Sequence, residues 1–273
     1  MANLRICYRN IFDTATLTAS PALVTTLPET NLQKQERFKT ARSTSLASQD
    51  IKASWATAQR INFIHTRMHN FTAAAQTRDR TYTDSAWTTG VIDNAAANCF
   101  AYTGFAQNDV LTEADFRLLK NSTRYITLAT NIQSYIQTIT DAANPDGYFD
   151  VSRLFGGEYI EFTYNPPYGG AAFTFEDLST QQVMHDGSLV SDKGAKRRRL
   201  ELTQDFMPAA DWAALLAGLR YAGKDRDIFV SLYPADGTYL EPYHQGLFKV
   251  AESTPFDRHM VGLAQQKLLL IET

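Results

Sequence analysis

The sequence predicts a mainly β protein, built as sandwiches or a barrel with one packed α-helix. Three observations carry this. Segments rich in aromatic and β-branched residues recur along most of the chain, separated by turn residues. Helical periodicity is scarce. The 273 residues, with 44% hydrophobic and 20% charged side chains, suit one large domain or two ordinary ones and are too apolar for disorder. There are 13 Tyr and 16 Phe against 14 Gly, which adds to the lean toward strands.

The elements follow in chain order. INFIHTRMHNF, residues 61–71, mixes apolar and polar residues with a bias to alternation and reads as a strand. TEADFRLLKN, residues 112–121, reads as a short helix. Thr112 caps it, Asp115 stands three residues on, and Phe116 and Leu119 face inward. RYITLAT, YIQTIT, YFDVSRLF, YIEFTY, AAFTFED, RRRLELT, DIFVSLYP and LLLIE read as short strands. The strongest helix is residues 208–222. Pro208 suits its first position, Gly223 its stop, and Trp212, Leu215, Leu216 and Leu219 form an apolar stripe at helical spacing. Expected core positions are Phe63, Tyr148, Leu154 and Phe155 in the first half. In the second they are Trp212, Leu215, Leu216, Leu219, Phe229 and Leu232. Two Gly pairs and Pro166-Pro167 cluster within residues 156–170, which places a boundary there and gives domains 1–158 and 159–273.

Composition narrows the function classes. The net charge of −3 implies no broad basic surface, so nucleic acid is not expected as the main partner. Two cysteines, Cys7 and Cys99, are too few for a disulfide scaffold and lack zinc spacing. They read as free thiols in a core, with a single bridge between them left open. The first residues show no signal-peptide pattern, and no stretch approaches the ~18 apolar residues of a membrane span. The chain is expected in a cytoplasm or on a particle assembled there.

One stretch invites a metal. DAANPDGYFDVSRLFGG, residues 141–157, clusters Asp and Asn around a Gly. Placing Gly147 at the glycine position of a helix–loop–helix calcium loop puts Ala142 first and Arg153 last, where oxygen ligands are required. That reading fails. Asn144-Pro145-Asp146-Gly147 instead has the preferences of a type I turn, and strand-like flanks make the stretch a hairpin. His65 and His69 stand four apart, but no Glu follows His65 and the run favours a strand, so no zinc site is expected. No nucleophile elbow, dinucleotide fingerprint or phosphate loop occurs, so no catalytic residue, cofactor or metal is assigned and no enzyme is expected.

Two features point to partners. Lys196, Arg197, Arg198 and Arg199 form a short basic run that could meet an anionic partner or a neighbouring subunit, or simply lead into a strand. As a strand it puts Arg198, Leu200 and Leu202 on one face, and Arg197, Arg199 and Glu201 on the other. Trp55, Trp87 and Tyr102 could stack on sugars or fill the core; Trp87 and Tyr102 are the candidate glycan contacts.

Several stretches together resemble a known family. IFDTATLTASPALVTTLPETNLQKQERFKTARSTS, then ASWATAQRINFIHTRMHNFTAAAQTR, then the NPDGY and RLFGG pieces of residues 141–157, resemble the first domain of certain tailed-phage tail-tip proteins. That match spans about residues 3–158 and implies a galactose-binding, discoidin-like jelly roll. FTFEDLST, the run from RRRLELT through VSLYPADG, and the terminal HQGLFKVAESTPFDRHMVGLAQQKLLLIET are similar to the ring-forming β domain of siphophage distal tail proteins.

The resemblance implies a virion structural protein of the tail tip or baseplate, assembled in the host cytoplasm. It would form a homo-oligomeric ring, a hexamer or a trimer, linking the tail tube protein to the baseplate hub and fibre proteins. The alternative is a carbohydrate-binding module for attachment to a host-surface glycan. A hydrolase acting on host polysaccharide is the third option.

Overall fold

The computed structural model describes residues 3–67, 69–99, 121–234, 241–254, 257–260 and 263–273. The expected helix over 112–121 and the candidate Tyr102 fall outside the described residues, apart from Asn121, which opens a strand. The chain divides into two compact units: Met1–Glu161 with Phe229–Gly246, and Phe162–Ile228 with Leu247–Thr273. The division is therefore not a single cut, because a later segment returns to the first unit.

The first unit opens with β1 (Arg5–Cys7), β2 (Thr16–Ser20), β3 (Ala41–Arg42) and β4 (Gln49–Arg67). It continues with β5 (Gln76–Tyr82), β6 (Gly90–Asn98), β7 (Asn121–Thr140), β8 (Asp150–Val151), β9 (Arg153–Gly157) and β10 (Ile160–Glu161). One antiparallel sheet runs β2-β4-β7-β5-β6, with β9 also paired to β4. Its inner face packs Ile51, Ala53, Tyr135 and Ile139 against Phe12, Leu32, Ala41 and Val151, which lie on the opposing short elements. Phe12 sits at the centre, fully buried, with its ring 5.7 Å from Trp55 and 5.5 Å from Tyr135. The second half of β4 is buried on both faces. Ile64 joins this core, while Phe63 stacks on Phe229 at 4.6 Å. Phe229 lies on β15 (Ile228–Ser231), which pairs with β1.

The second unit contains β11 (Ala171–Asp177), β12 (Thr180–Val183), β13 (Leu189–Asp192), β14 (Lys196–Pro208) and helix α1 (Ala209–Ala222). It is completed by β16 (Gln245–Ser253), whose first two residues fall in the first unit, β17 (Asp257–Met260) and β18 (Leu263–Glu272). Here the sheet order is β16-β18-β14-β11, so β11 is the end strand. Arg198, Leu200, Leu202 and Gln204 of β14 point inward as the alternation predicts.

The expected fold class holds: mainly β, with a jelly-roll-type sandwich first and one packed helix later. Five expectations are corrected. The helix buries Asp211, Leu215, Gly218 and Ala222, so of the expected stripe Leu215 alone is buried. Leu216 is exposed, and Trp212 and Leu219 are half-buried. The reason is Asp211, whose carboxylate accepts a hydrogen bond from the Thr163 amide at 2.8 Å and turns that polar position inward. Pro208 is the N-cap, one residue before the first helical position.

Tyr148 is half-buried under the Arg42 guanidinium, and its neighbour Phe149 fills the core. Phe229 and Leu232 are buried, but in the first unit. Finally, residues 141–157 turn but do not form a hairpin. Gly147 donates to the Asn144 carbonyl at 3.2 Å, and the Asn144 side chain accepts from Asp146. The chain then leaves β7 and crosses to pair β8 with β3 and β9 with β4.

Candidate functional site

In the first unit the site-forming feature is the loop between β5 and β6, residues 83–89. Thr83 donates to the Thr89 carbonyl at 3.1 Å and closes its base. The Asp84 carboxylate accepts three backbone amides, from Ala86 at 2.9 Å, Thr88 at 3.1 Å and Thr89 at 2.5 Å. Those bonds, Thr88 and Thr89 foremost, hold the Asp84 carboxyl down to about 2. Ser134 of β7 donates to the Asp84 carbonyl at 2.5 Å and ties the loop to the sheet.

The loop presents Trp87 at φ +58, a left-handed conformation that bulky residues adopt only when their surroundings hold them there. The indole is half-exposed. Its Nε1 is buried without a hydrogen-bond partner among the described residues, so the exposed part of the ring is hydrocarbon. Lys52 Nζ lies 5.8 Å from the ring centroid. Trp55, by contrast, is a core residue: 4% exposed, with Nε1 donating to the Ile11 carbonyl at 2.8 Å. A loop tied to the sheet by these bonds and carrying a partly exposed indole has the chemistry to stack against the apolar face of a sugar.

The basic run is paired within the chain. Lys196 meets Asp177 at 3.5 Å, Arg197 meets Glu176 at 2.7 Å, Arg198 meets Glu272 at 2.6 Å and Arg199 meets Glu201 at 3.3 Å. Arg198 is buried over the Phe248 ring. The two histidines engage different rings: His65 lies 5.1 Å from Phe229 and shares a 2.7 Å hydrogen bond with Thr123, while His69 stacks on Phe71 at 4.3 Å. Among the described residues no group of three His, Cys, Asp or Glu could hold a metal, and no helix is long and apolar enough to cross a membrane.

The second unit holds two features that the sequence reading missed. One is an arm. Among the described residues β12 and β13 pair only with each other, from Thr180↔Asp192 to Val183↔Leu189, and every residue of both strands is exposed. Its tip is a tight turn, where Met184 donates to the Ser188 carbonyl at 2.8 Å and Gly187 takes φ +82. Val183 is 74% exposed, Met184 50% and Leu189 59%. A two-stranded ribbon is at best marginally stable alone in water, and this one carries apolar side chains outward.

The other is a pocket of about 370 Å³ lined by Tyr164, Asn165, Pro167, Asp205, Phe206 and Leu263. It sits at a bulge. Gln204 faces Gln266 and Met207 faces Ala264, so β14 carries one extra residue there. The bulge sends Phe206 out at φ +56. Asp205 Oδ1 is buried with no hydrogen-bond partner among the described residues. Gln204 donates to the Tyr164 carbonyl at 2.7 Å and fixes the opposite wall. A count of apolar periodicity cannot see a bulge, and a run such as QQVMHDGSLV does not say that its apolar side chains stay outside.

No protein-family model matches the chain, and no curated protein does. Solved structures do. The chitosan-binding module 1 from a chitosanase/glucanase of Paenibacillus sp. IK-5 is 12% identical, with a TM-score of 0.40 over 55% of this chain and 99% of that one. A fucose binding module of Streptococcus pneumoniae is 9% identical, with a TM-score of 0.37 over 55% and 95%. The module CBM32-3 from a family 31 glycoside hydrolase of Clostridium perfringens is 14% identical, with a TM-score of 0.38 over 55% and 100%. At these identities and scores the likeness carries no argument about what this chain does.

Proposed function

We propose that this chain is a non-catalytic assembly subunit whose second unit is completed by neighbouring molecules. One observation carries the reading. Eleven of the fourteen large apolar side chains exposed among the described residues belong to the second unit, from Tyr164 to Tyr221, although it is the smaller of the two. Soluble monomers rarely expose apolar surface in such concentration; it marks interaction surfaces. Among the described strands β11 ends the sheet and carries Phe175, 68% exposed, and strand edges accept further strands. The finer form is the one that the sequence resemblance supplies: a ring of identical subunits in a phage tail tip, joining tail tube to baseplate hub and fibres. The test is the mass of the purified chain in solution, with negative-stain images of the same sample. A closed ring supports this reading, and a monomer at every concentration removes it.

A second reading concerns the first unit, and the Trp87 loop favours it. We propose that this loop stacks on a host-surface glycan, which is compatible with assembly through the other unit. Screening the chain and its Trp87→Ala variant on a glycan array tests it. Binding that disappears in the variant supports the loop as the contact; identical profiles move any glycan contact elsewhere.

A further inference from the structure

The first unit holds a polar pocket of about 270 Å³ that shares no residue with the Trp87 loop. It is lined by Arg9, Ile11, Ala58, Gln59, Arg60 and Glu158. A break in the β4–β7 ladder builds one side. Ser54 faces Ser134 and Gln59 faces Ile132, so β4 carries three extra residues between those pairs. Ala56, Thr57 and Ala58 are exposed in succession there, where a regular strand would alternate. Bulges of this kind re-aim side chains and recur beside binding sites. Close approach builds the other side. A Cβ on Gly157 would stand 2.9 Å from the Arg9 carbonyl, so a glycine lets the chain pass there and deliver Glu158 to the pocket.

The lining groups differ in what they have already spent. Arg60 and Glu158 satisfy each other through two parallel bonds of 2.5 and 2.6 Å. Gln59 is buried and gives its amide hydrogens to the Thr57 carbonyl and hydroxyl at 3.0 and 3.1 Å, which leaves its carbonyl oxygen to accept. The Arg9 backbone is held, with its carbonyl accepting from the Cys7 thiol at 3.3 Å. The Arg9 guanidinium is exposed and meets no hydrogen-bond or ion-pair partner among the described residues. Two cations thus face one carboxylate, and the unspent cation is a planar donor fork that fits a carboxylate. Ile11 and Ala58 add apolar surface between these groups.

We infer that this pocket binds a carboxylated monosaccharide of hexuronate type. The sugar carboxylate pairs with Arg9. Ring hydroxyls donate to the Gln59 carbonyl and the Glu158 carboxylate, and the C–H face of the ring lies on Ile11 and Ala58. An amino acid fits less well, because Arg60 already neutralises Glu158 and no carboxylate is left for an ammonium group. The volume lies just below the roughly 300–1,000 Å³ of sites for drug-sized ligands, which suits a single sugar ring. This inference rests on neither reading above: it needs no assembly and no contact at Trp87.

Ligand-observed NMR titration of the full chain tests it with three probes: D-glucuronate, D-glucose and acetate. Glucuronate is expected to bind at least about tenfold more tightly than either, since glucose lacks the carboxylate and acetate lacks the hydroxyls. Its affinity is expected to fall as salt rises. Arg9→Gln is expected to weaken glucuronate binding by about tenfold or more and to leave thermal unfolding unchanged, because that side chain makes no bond within the fold. Ala58→Asp keeps Arg9, sets a like charge against the ligand and is expected to give the same loss. Trp87→Ala is expected to leave glucuronate binding unchanged, which separates this pocket from the loop.

Absence of glucuronate binding overturns the inference, and so does binding that survives both Arg9→Gln and Ala58→Asp. Acetate binding as tightly as glucuronate reduces the site to an anion contact and overturns the sugar assignment. Glucose binding as tightly as glucuronate removes the role given to Arg9. Loss of binding in Trp87→Ala would assign the contact to the loop and overturn this pocket as the site.

Discussion

Both units bury charge, the second at Asp211 and in the Arg198–Glu272 pair, and they differ in what they leave outside. The first hides its ionic groups within the sandwich. Asp79 is fully buried on the inner face of its sheet, where Arg124 Nε lies 3.1 Å from it and the Tyr135 hydroxyl and Gln137 amide donate to it. Arg153, 1% exposed, meets Asp13 at 3.0 Å, and Asp141 is bonded by the amide and hydroxyl of Thr72. The second unit exposes hydrocarbon on an arm, an end strand and a pocket rim. Buried ionic pairs are costly to make and very costly to break singly, whereas exposed apolar surface costs nothing to alter until a partner needs it. Mutations in the first unit should therefore be read as stability, and mutations on the outer faces of the second as assembly.

The largest effect is expected in the first unit. Asp79→Ala leaves Arg124 without its carboxylate and should cost about 3–5 kcal/mol in urea unfolding. Burial already pushes the Asp79 carboxyl above its ordinary range, against the pull of Arg124. Replacing both residues by apolar ones should therefore recover part of the loss. A single variant within experimental error of wild type would break the contrast between the units.

Next comes the helix. Leu215→Ala should cost about 2–5 kcal/mol, while Leu216→Ala one residue later should change the monomer by less than about 0.5 kcal/mol. Equal losses at the two positions would restore the stripe expected from the sequence.

Smaller still is a chemical signature. Burial pushes the Cys7 and Cys99 thiols up to about 12, so neither is a thiolate at neutral pH. A thiol reagent should leave the native chain unlabelled and count two thiols on unfolding. Rapid labelling of either residue would mean that its core opens readily.

The smallest effect is at the Trp87 loop. The folded Asp84 carboxyl sits near 2, below its unfolded value of roughly 4. Its contribution is therefore complete above about pH 4 and is lost as the pH falls through about 2. Lower protection of the Ala86, Thr88 and Thr89 amides, measured against their intrinsic exchange rates, at low pH and in Asp84→Ala at neutral pH is the expected readout. Exchange that stays unchanged in both would mean that other contacts hold the loop.

The same contrast explains what the sequence disclosed. β14 was legible because Arg198, Leu200 and Leu202 alternate with polar neighbours, which is the one signal that a half-buried strand must carry. The Asn144–Gly147 turn was legible because turn chemistry is local. The pairing of its flanks was not, because β8 and β9 find partners on β3 and β4, far back in the chain. β5 went unseen because its inward residues are Thr77, Asp79 and Thr81, polar types that carry no apolar alternation, and Thr77 and Asp79 are buried through polar partners on β7. The helix was seen and its face mistaken, because a buried Asp211 bonded to the backbone outweighed the greasier Leu216. Of the candidate site, Trp87 was visible as a residue type near turn-like sequence. The arm and the pocket were not, since both depend on where apolar side chains end up and not on how they are spaced.

The central claim is that the exposed hydrocarbon of the second unit is an interface between copies. The most direct measurement is sedimentation equilibrium of the wild-type chain beside a Val183→Asp, Leu189→Asp variant over a wide range of concentration. The expected result is a closed oligomer for wild type and a monomer of unchanged thermal stability for the variant. Equal masses for the two proteins, or a wild type that is monomeric throughout, would contradict it.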